Sequence, residues 1–352
     1  MRDFAKDMIR PQARDNDEEA KTPQEFLQEM WELGLTSTQI SEDYGGGGEE
    51  NSPIMNVILL EELGHGDVTL ALAALSPSLF VKPIAEQGTD EQKAAYLPAF
   101  CGDRFQAGSL ALIEPGPVFD PGALQTTASK AGDTYLLNGA KSFVPLAGDA
   151  SHFLVIAAIE NADGGERGAF IVPRGAAGLS VSEAERNLGL RALACHGLTL
   201  EGVEVPASDR LGGDAGCDVQ RIVNLSRTAL GALMVGLSRA VMEYAIPYAK
   251  DRVAFGEPIA QKQAIAFVLS DMRVEIDSMR WLVWKAASEL EEGRDATRAS
   301  HFARFYTAEQ SMKISDNGVQ VLGGHGFVRD HPVEMWYRNA RTLGVLEGTA
   351  AI

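Results

Sequence analysis

The chain has 352 residues, 45% of them apolar, which is enough for two or three packed domains with a large core. Its net charge of −18 excludes a broad nucleic-acid or anionic-membrane surface, although 31 Lys and Arg leave room for a local phosphate site. The sequence contains no run of about 18 apolar residues, which a membrane span would require. The charged segment 1–14 has no signal-peptide core.

Residues 1–105 predict an N-terminal helical domain. Apolar residues recur at helical spacing in segments 26–33, 54–63, 70–86 and 92–100. Four consecutive glycines, Gly45 to Gly48, predict a loop between the first two of these helices.

Residues 106–210 predict a small β-domain. The pair Asn138-Gly139 follows an apolar run and predicts a hairpin turn. Gly164-Gly165 is expected to separate two strands. The apolar runs of strand length are 153–159, 169–172, 198–200 and 203–205.

Residues 211–352 predict a helical bundle, because long apolar stripes at helical spacing cover segments 225–241, 265–290 and 299–322. Three separated cysteines, Cys101, Cys195 and Cys217, form neither a disulfide framework nor a zinc-site spacing. They favour a reducing compartment, so we expect a cytoplasmic protein, or one of the mitochondrial matrix in a eukaryote.

Several common catalytic motifs are absent from the sequence. It contains no Walker A loop, no GxGxxG after a strand, no HExxH and no GxSxG. These absences argue against a P-loop nucleotide site, a Rossmann site, and the standard hydrolase and metalloenzyme classes. No metal site is predicted.

Short motifs instead occur in a fixed order along nearly the whole chain. They are Tyr44-Gly45-Gly46, Glu61-Glu62-Leu63-Gly64, Gly88 to Pro98, Glu114-Pro115-Gly116, Val203 to Pro206, Arg252 to Gln263, Gln320 to Gly326 and Glu347-Gly348-Thr349. Each is weak alone, but in this order and spacing they resemble the acyl-CoA dehydrogenase family.

The resemblance implies an α+β, mainly α fold with an N-terminal helical domain, a middle small β-barrel domain and a C-terminal four-helix-bundle domain. It implies FAD as cofactor, an acyl-CoA substrate, a role in fatty acid metabolism and an electron-transfer flavoprotein as acceptor. A homodimer or homotetramer is expected. In the implied reaction the substrate's α-hydrogen leaves as a proton and the β-hydrogen as a hydride to the flavin.

The resemblance makes Glu347 the base that removes the α-proton. A carboxylate is suited to this task where water is excluded. The backbone N–H of Glu347 is expected to hold the thioester oxygen, Gly348 to permit the turn, and Arg227 to support the substrate side and the catalytic loop. The alternative for Glu347 is an exposed loop acid. Some relatives carry the base on the first helix of the C-terminal domain, but residues 224–227 contain no carboxylate.

A second set of residues is assigned by resemblance to FAD. Arg252 suits the pyrophosphate because a guanidinium binds phosphate well. In the family this set comes from the neighbouring subunit. The alternatives are an ordinary helix-end arginine and a glycine helix stop. The other members are Phe255, Gln263, Gln320, Gly323 and Gly324, and Thr349 is also assigned to the cofactor.

The residues that would face the chain's own flavin depart from the family. Ile113 and Phe119 replace a Thr and a Ser after Leu112, while Pro145 replaces a Thr. Phe143 retains an aromatic side chain beside the expected flavin. Loss of these hydroxyls leaves open a site that still binds FAD through backbone contacts and a catalytically weak or inactive subunit that supports FAD binding in a hetero-oligomer. An oxygen-using oxidase relative is a further alternative. The sequence also stops at Ile352, where the family usually adds a final helix.

Overall fold

The computed structural model describes residues 1–49, 52–160 and 166–351, which form a helical, a β and a second helical part. Shorter π and 3-10 turns join several of the first helices. The helices of the first part are α1 (Arg2–Phe4), α2 (Ala13–Glu19), α3 (Gln24–Glu32), α4 (Pro53–Gly66), α5 (Val68–Ala74), α6 (Ser78–Gln87) and α7 (Asp90–Tyr96).

Helix starts in this part follow from local capping. The Asp67 carboxylate accepts hydrogen bonds of 2.9 Å from the N–H groups of both Thr69 and Leu70 at the start of α5. Thr89 and Gln92 form a capping box at the start of α7. The single helix predicted over residues 70–86 is wrong, because the chain breaks between α5 and α6 at Pro77, which has no N–H to donate.

The middle part is a seven-stranded sheet in which β4 pairs with β1, β2 and β5. Both β2 and β7 pair with β3, and β6 pairs with β7 at the edge of the sheet. The strands are β1 (Ser109–Ala111), β2 (Thr127–Ala131), β3 (Thr134–Pro145), β4 (His152–Ile159), β5 (Arg167–Pro173), β6 (Leu179–Ala184) and β7 (Cys195–Pro206).

The predicted hairpin turn at Asn138-Gly139 is wrong, because both residues lie inside β3 at a shift in its register with β7. A Cβ on Gly139 would lie 2.6 Å from the Cα of Thr126, so glycine permits a close backbone approach here. The tight turn instead joins β2 to β3 at Gly132, whose φ is +63°. The predicted break at Gly164-Gly165 lies outside the described residues.

The third part confirms the predicted bundle. It contains α8 (Val219–Asp251), α9 (Gln263–Glu291), α10 (Thr297–Leu322) and α11 (Val333–Leu343), with the two-residue strands β8 (Val253–Ala254) and β9 (Glu257–Pro258) after α8. Helix α8 is apolar and long enough to cross a membrane by length and composition alone, and the bent pair α5 and α6 passes the same test together. Because 83% of its apolar window is buried in the fold, we interpret α8 as the core helix of the bundle.

Helices α4 and α8 approach each other through two glycines. A Cβ on Gly64 would lie 2.6 Å from the carbonyl oxygen of Leu233, and one on Gly236 would lie 2.2 Å from that of Glu61. A buried network adds to this contact, since Arg239 donates to Glu61 at 2.7 Å and Arg280 donates to it at 2.8 Å. The first helical part is therefore fixed directly to the core helix of the bundle.

We expect Gly236→Ala to lower the free energy of unfolding by about 1–3 kcal/mol, because the added methyl group has no space between the two helices. The midpoint of urea denaturation measures the loss. Gly102→Ala is the matched control, since a Cβ at Gly102 would meet no atom of the described residues within 4 Å. Equal midpoints for the two variants would contradict the close helix contact.

Candidate active site

Glu347 lies in the loop after α11 and forms an ion pair with Arg227 of α8. Both carboxylate oxygens of Glu347 lie 3.2 Å from Arg227 Nε. The two side chains are 17% and 12% exposed, so the pair is largely shielded from water but still reaches a cleft. The geometry places the Glu347 carboxyl group, held by the Arg227 guanidinium, at the edge of an open space.

Gly348 brings this loop against the middle domain. Its φ of +68° is a left-handed conformation, and a Cβ there would lie 2.8 Å from the Cβ of Leu112. The next residue, Thr349, is 1% exposed, and its hydroxyl has no hydrogen-bond partner in the described part of the chain. The Glu347 loop of the helical bundle therefore packs against the segment that follows β1.

A cleft of about 660 Å³ opens between the β-domain, α10 and the Glu347 loop. Its volume lies within the range of small-molecule and cofactor sites. The predicted residues Ile113, Phe119, Phe143 and Glu347 all line it, whereas Phe305 on its α10 wall was not predicted. The walls on the β-domain side are mainly apolar and aromatic.

The segment Leu112 to Phe119 rests on a buried ion pair that the sequence did not predict. Lys141 Nζ lies 2.9 Å from Glu114 Oε1 and 3.2 Å from the Leu112 carbonyl, which it also bonds. The Glu114 carboxylate further accepts from the N–H groups of Gln125 and Thr126 at 2.6 and 2.8 Å. Burial lowers the pKa of the Lys141 ammonium to about 8, against the opposite effect of Glu114.

At the end of β3 that faces the cleft, the backbone N–H groups donate hydrogen bonds to other groups of this chain. The Ser142 N–H donates to the Ile113 carbonyl at 2.9 Å, and the Phe143 N–H donates to Glu185 Oε1 at 3.1 Å. Phe143 adopts a left-handed φ of +53°. Pro145 is buried, and its carbonyl accepts from the Ser109 hydroxyl, so this position supplies no donor to the cleft.

The second predicted set does not reach the Glu347 cleft. Arg252, Gly323 and Gly324 line a separate surface depression of about 350 Å³. Phe255 is 96% exposed with a left-handed φ of +56°. Gln263, at the start of α9, and Gln320, near the end of α10, are also exposed. The structure therefore brings Arg252, Gly323 and Gly324 together and leaves Phe255, Gln263 and Gln320 exposed outside the cleft.

Arg304 of α10 also lines the cleft, although the sequence interpretation missed it. It is 6% exposed and stands in a helix face whose other members, such as Ala303 and Thr307, are buried. A charged residue inside such a stripe is uncommon, and this was the signal available in the sequence. Among the described residues no group of three or more His, Cys, Asp or Glu side chains could hold a metal ion.

Comparison with known proteins identifies the family over most of the chain. Residues 1–103, 109–203 and 217–352 match the N-terminal, middle and C-terminal domains of acyl-CoA dehydrogenase. The chain belongs to the acyl-CoA dehydrogenase family. Members of this family are FAD-dependent oxidoreductases that act on CH–CH bonds, and the predicted fold class is confirmed.

Individual members of the acyl-CoA dehydrogenase family align over the whole of this chain. It is 33% identical to the 3-(aryl)acrylate reductase of Clostridium sporogenes, covering 100% of this chain and 93% of that protein. It is 35% identical to the caffeyl-CoA reductase-Etf complex subunit CarC of Acetobacterium woodii, with the same two coverages. The structure of butyryl-CoA dehydrogenase from Megasphaera elsdenii superposes with a TM-score of 0.87 at 28% identity, covering 99% of this chain and 92% of that one.

We expect Lys141→Met to lower the free energy of unfolding by about 3–5 kcal/mol, because Glu114 would be left as a buried charge without its cation. Urea denaturation measures the loss, and the exposed Lys130→Met is the control on β2. Adding Glu114→Gln to Lys141→Met should recover part of it. A loss below about 1 kcal/mol in the single variant would show that the pair does not support this segment.

Proposed function

We propose that this chain is an FAD-dependent acyl-CoA dehydrogenase that converts an acyl-CoA thioester to the trans-2-enoyl-CoA, with Glu347 as the base for the α-proton. The observation that carries the proposal is the Glu347–Arg227 pair, in which both Glu347 oxygens lie 3.2 Å from Arg227 Nε at the edge of the cleft. Glu347 also stands in the Glu-Gly-Thr motif that resembles the family's catalytic loop.

FAD fits the residues that surround the cleft. The space of about 660 Å³ has aromatic walls at Phe119 and Phe143, and the Thr349 hydroxyl is a buried group with no hydrogen-bond partner among the residues that the structure describes. When bound, FAD supplies the acceptor for the hydride that leaves the substrate's β-carbon. Ile113 lines the cleft and would hold FAD from this chain mainly by packing, whereas Leu112 and Pro145 are buried and do not line the cleft.

The protein's own groups in this mechanism act on the proton and on the thioester oxygen. Arg227 holds the carboxylate of Glu347 in one orientation, so its oxygens are ready to take the α-proton. The backbone N–H of Glu347 is assigned to the thioester oxygen, where charge develops as the proton leaves. The aromatic side chains of Phe119 and Phe143 line the cleft, and with FAD and substrate bound they would leave less room for water around both interactions.

The outer-surface residues support an assembly of at least two subunits. Arg252, Gly323 and Gly324 share a depression away from Glu347, while Phe255 is almost fully exposed. An exposed aromatic side chain and a guanidinium suit the dinucleotide of a second subunit, together with the exposed Gln263 and Gln320. Because CarC is named as part of a complex with an electron-transfer flavoprotein, we propose such a flavoprotein as the electron acceptor here.

A second candidate function is a weak or inactive subunit in a hetero-oligomer. Pro145 favours it, because it offers neither an N–H nor a hydroxyl to a flavin. Ile113 and Phe119 favour it for the same reason, since neither side chain can donate a hydrogen bond. The oxidase alternative is separated by its product, because an oxidase releases hydrogen peroxide in air.

We expect the purified protein with added FAD to show flavin absorbance that bleaches anaerobically with butyryl-CoA or 3-phenylpropionyl-CoA. Glu347→Gln should keep FAD but slow bleaching by about 100- to 10,000-fold, the usual contribution of a general base. The exposed Glu309→Gln on α10 is the control and should bleach as the wild type does. A colourless protein that takes up no FAD would contradict the stand-alone enzyme and favour the hetero-oligomer.

We expect Ile113→Thr to tighten FAD binding by about fivefold, since Ile113 lines the cleft and the new hydroxyl restores one hydrogen bond worth about 1 kcal/mol. Titration of the FAD-free protein, followed by flavin fluorescence, measures the dissociation constants. Val118→Thr is the control, because Val118 is exposed and does not line the cleft. Unchanged or weaker FAD binding in Ile113→Thr would show that the missing hydroxyl at this position does not limit affinity.

A further inference from the structure

Arg304 ties the two ends of the turn that leads to Glu347. Its Nη2 donates to the Leu343 carbonyl at 2.9 Å and to the Leu346 carbonyl at 2.6 Å. Leu343 is the last residue of α11, and Leu346 directly precedes Glu347. A single nitrogen of the buried Arg304 side chain therefore fixes both the end of α11 and the residue directly before Glu347.

A neutral donor could also make these two carbonyl contacts, so the contacts alone do not require the positive charge of Arg304. No carboxylate in the described part of the chain forms a salt bridge with Arg304, and its Nε has no hydrogen-bond partner there. Burial lowers the pKa of the Arg304 guanidinium, while the Glu347 carboxylate opposes this effect and Arg227 adds to it. A buried cation with neutral partners is unfavourable unless a nearby negative charge compensates it.

The reaction itself changes the charge around Arg304. Before it, the guanidinium groups of Arg227 and Arg304 and the carboxylate of Glu347 sum to +1. When Glu347 accepts the α-proton it becomes neutral, and the local sum rises to +2. Negative charge develops on the thioester oxygen at the same time. Fixed cations in a cleft with little water stabilise such charge without having to reorganise.

We propose that Arg304 is a positioning residue of this active site, which holds the Glu347 loop through the Leu343 and Leu346 carbonyls and leaves excess positive charge beside Glu347 once it is protonated. This inference rests on the proposed function, with Glu347 as the base. Arg227 orients the carboxylate, and Arg304 orients the backbone that carries it.

The test uses the full chain loaded with FAD, with butyryl-CoA as the probe. We compare Arg304→Met, which removes the charge, Arg304→Lys, which keeps the charge but not the fork of donors, and the exposed Lys313→Met on the same helix. Two rates are measured: anaerobic flavin bleaching at saturating butyryl-CoA, and incorporation of deuterium at the α-carbon in D2O. Amide hydrogen exchange of segment 343–349 is followed without butyryl-CoA.

Arg304→Met should lower both limiting rates by about 10- to 100-fold, because a misplaced catalytic group loses about this much. The half-saturating butyryl-CoA concentration should change by less than about threefold, since ground-state binding is not altered. Arg304→Lys should fall between Arg304→Met and the wild type, and Lys313→Met should match the wild type. Segment 343–349 should exchange faster in Arg304→Met.

Limiting rates within about threefold of the wild type in Arg304→Met would overturn the inference, as would a change confined to the half-saturating concentration. If Arg304→Met does not retain FAD, Arg304→Lys decides, and unaltered limiting rates in that variant would overturn the inference in the same way. A wild-type protein that neither bleaches nor incorporates deuterium would instead contradict the proposed function.

Discussion

The ion pair between Arg227 and Glu347 is the interaction on which the candidate site depends. It joins two residues that are 120 positions apart in the chain. Arg227 belongs to the core helix α8, whose neighbours Ser226 and Thr228 are buried, so its position is set by the packing of the bundle. The loop that carries Glu347 has little regular structure, and it takes its position from this contact, from Gly348 against Leu112, and from Arg304.

The fold was predictable wherever a regular apolar period repeats over many residues. Helices α8, α9 and α10 are 33, 29 and 26 residues long and each carries a buried apolar stripe, and such long stripes are typical of a helical bundle. Local turn signals were less reliable. The Asn138-Gly139 pair has the composition of a hairpin turn, but tertiary contact with Thr126 and pairing with β7 place it inside a strand. The break at Pro77 was present in the sequence and was overlooked.

The candidate site was predictable only where a motif names a residue. Glu347, Ile113, Phe119 and Phe143 were assigned from the resemblance, and the structure brings them to one cleft, although their roles stay predictions. The Glu114–Lys141 pair could not be found in this way, since it joins two segments that meet only in the folded chain. A buried charge pair has no periodic signature, and its partners are identified only once the strands are in place.

The close approach of α4 and α8 at Gly64 and Gly236 has a mechanical consequence for the site. Where two helices touch through side chains, rotamer changes absorb small displacements, but backbone against backbone has no rotamers to adjust. Arg227 lies nine residues before Gly236 on the same continuous helix, about 14 Å along its axis. A shift of α4 would therefore move α8 as a rigid body. It would displace the Arg227 guanidinium that orients Glu347, although no residue of α4 is assigned to the site.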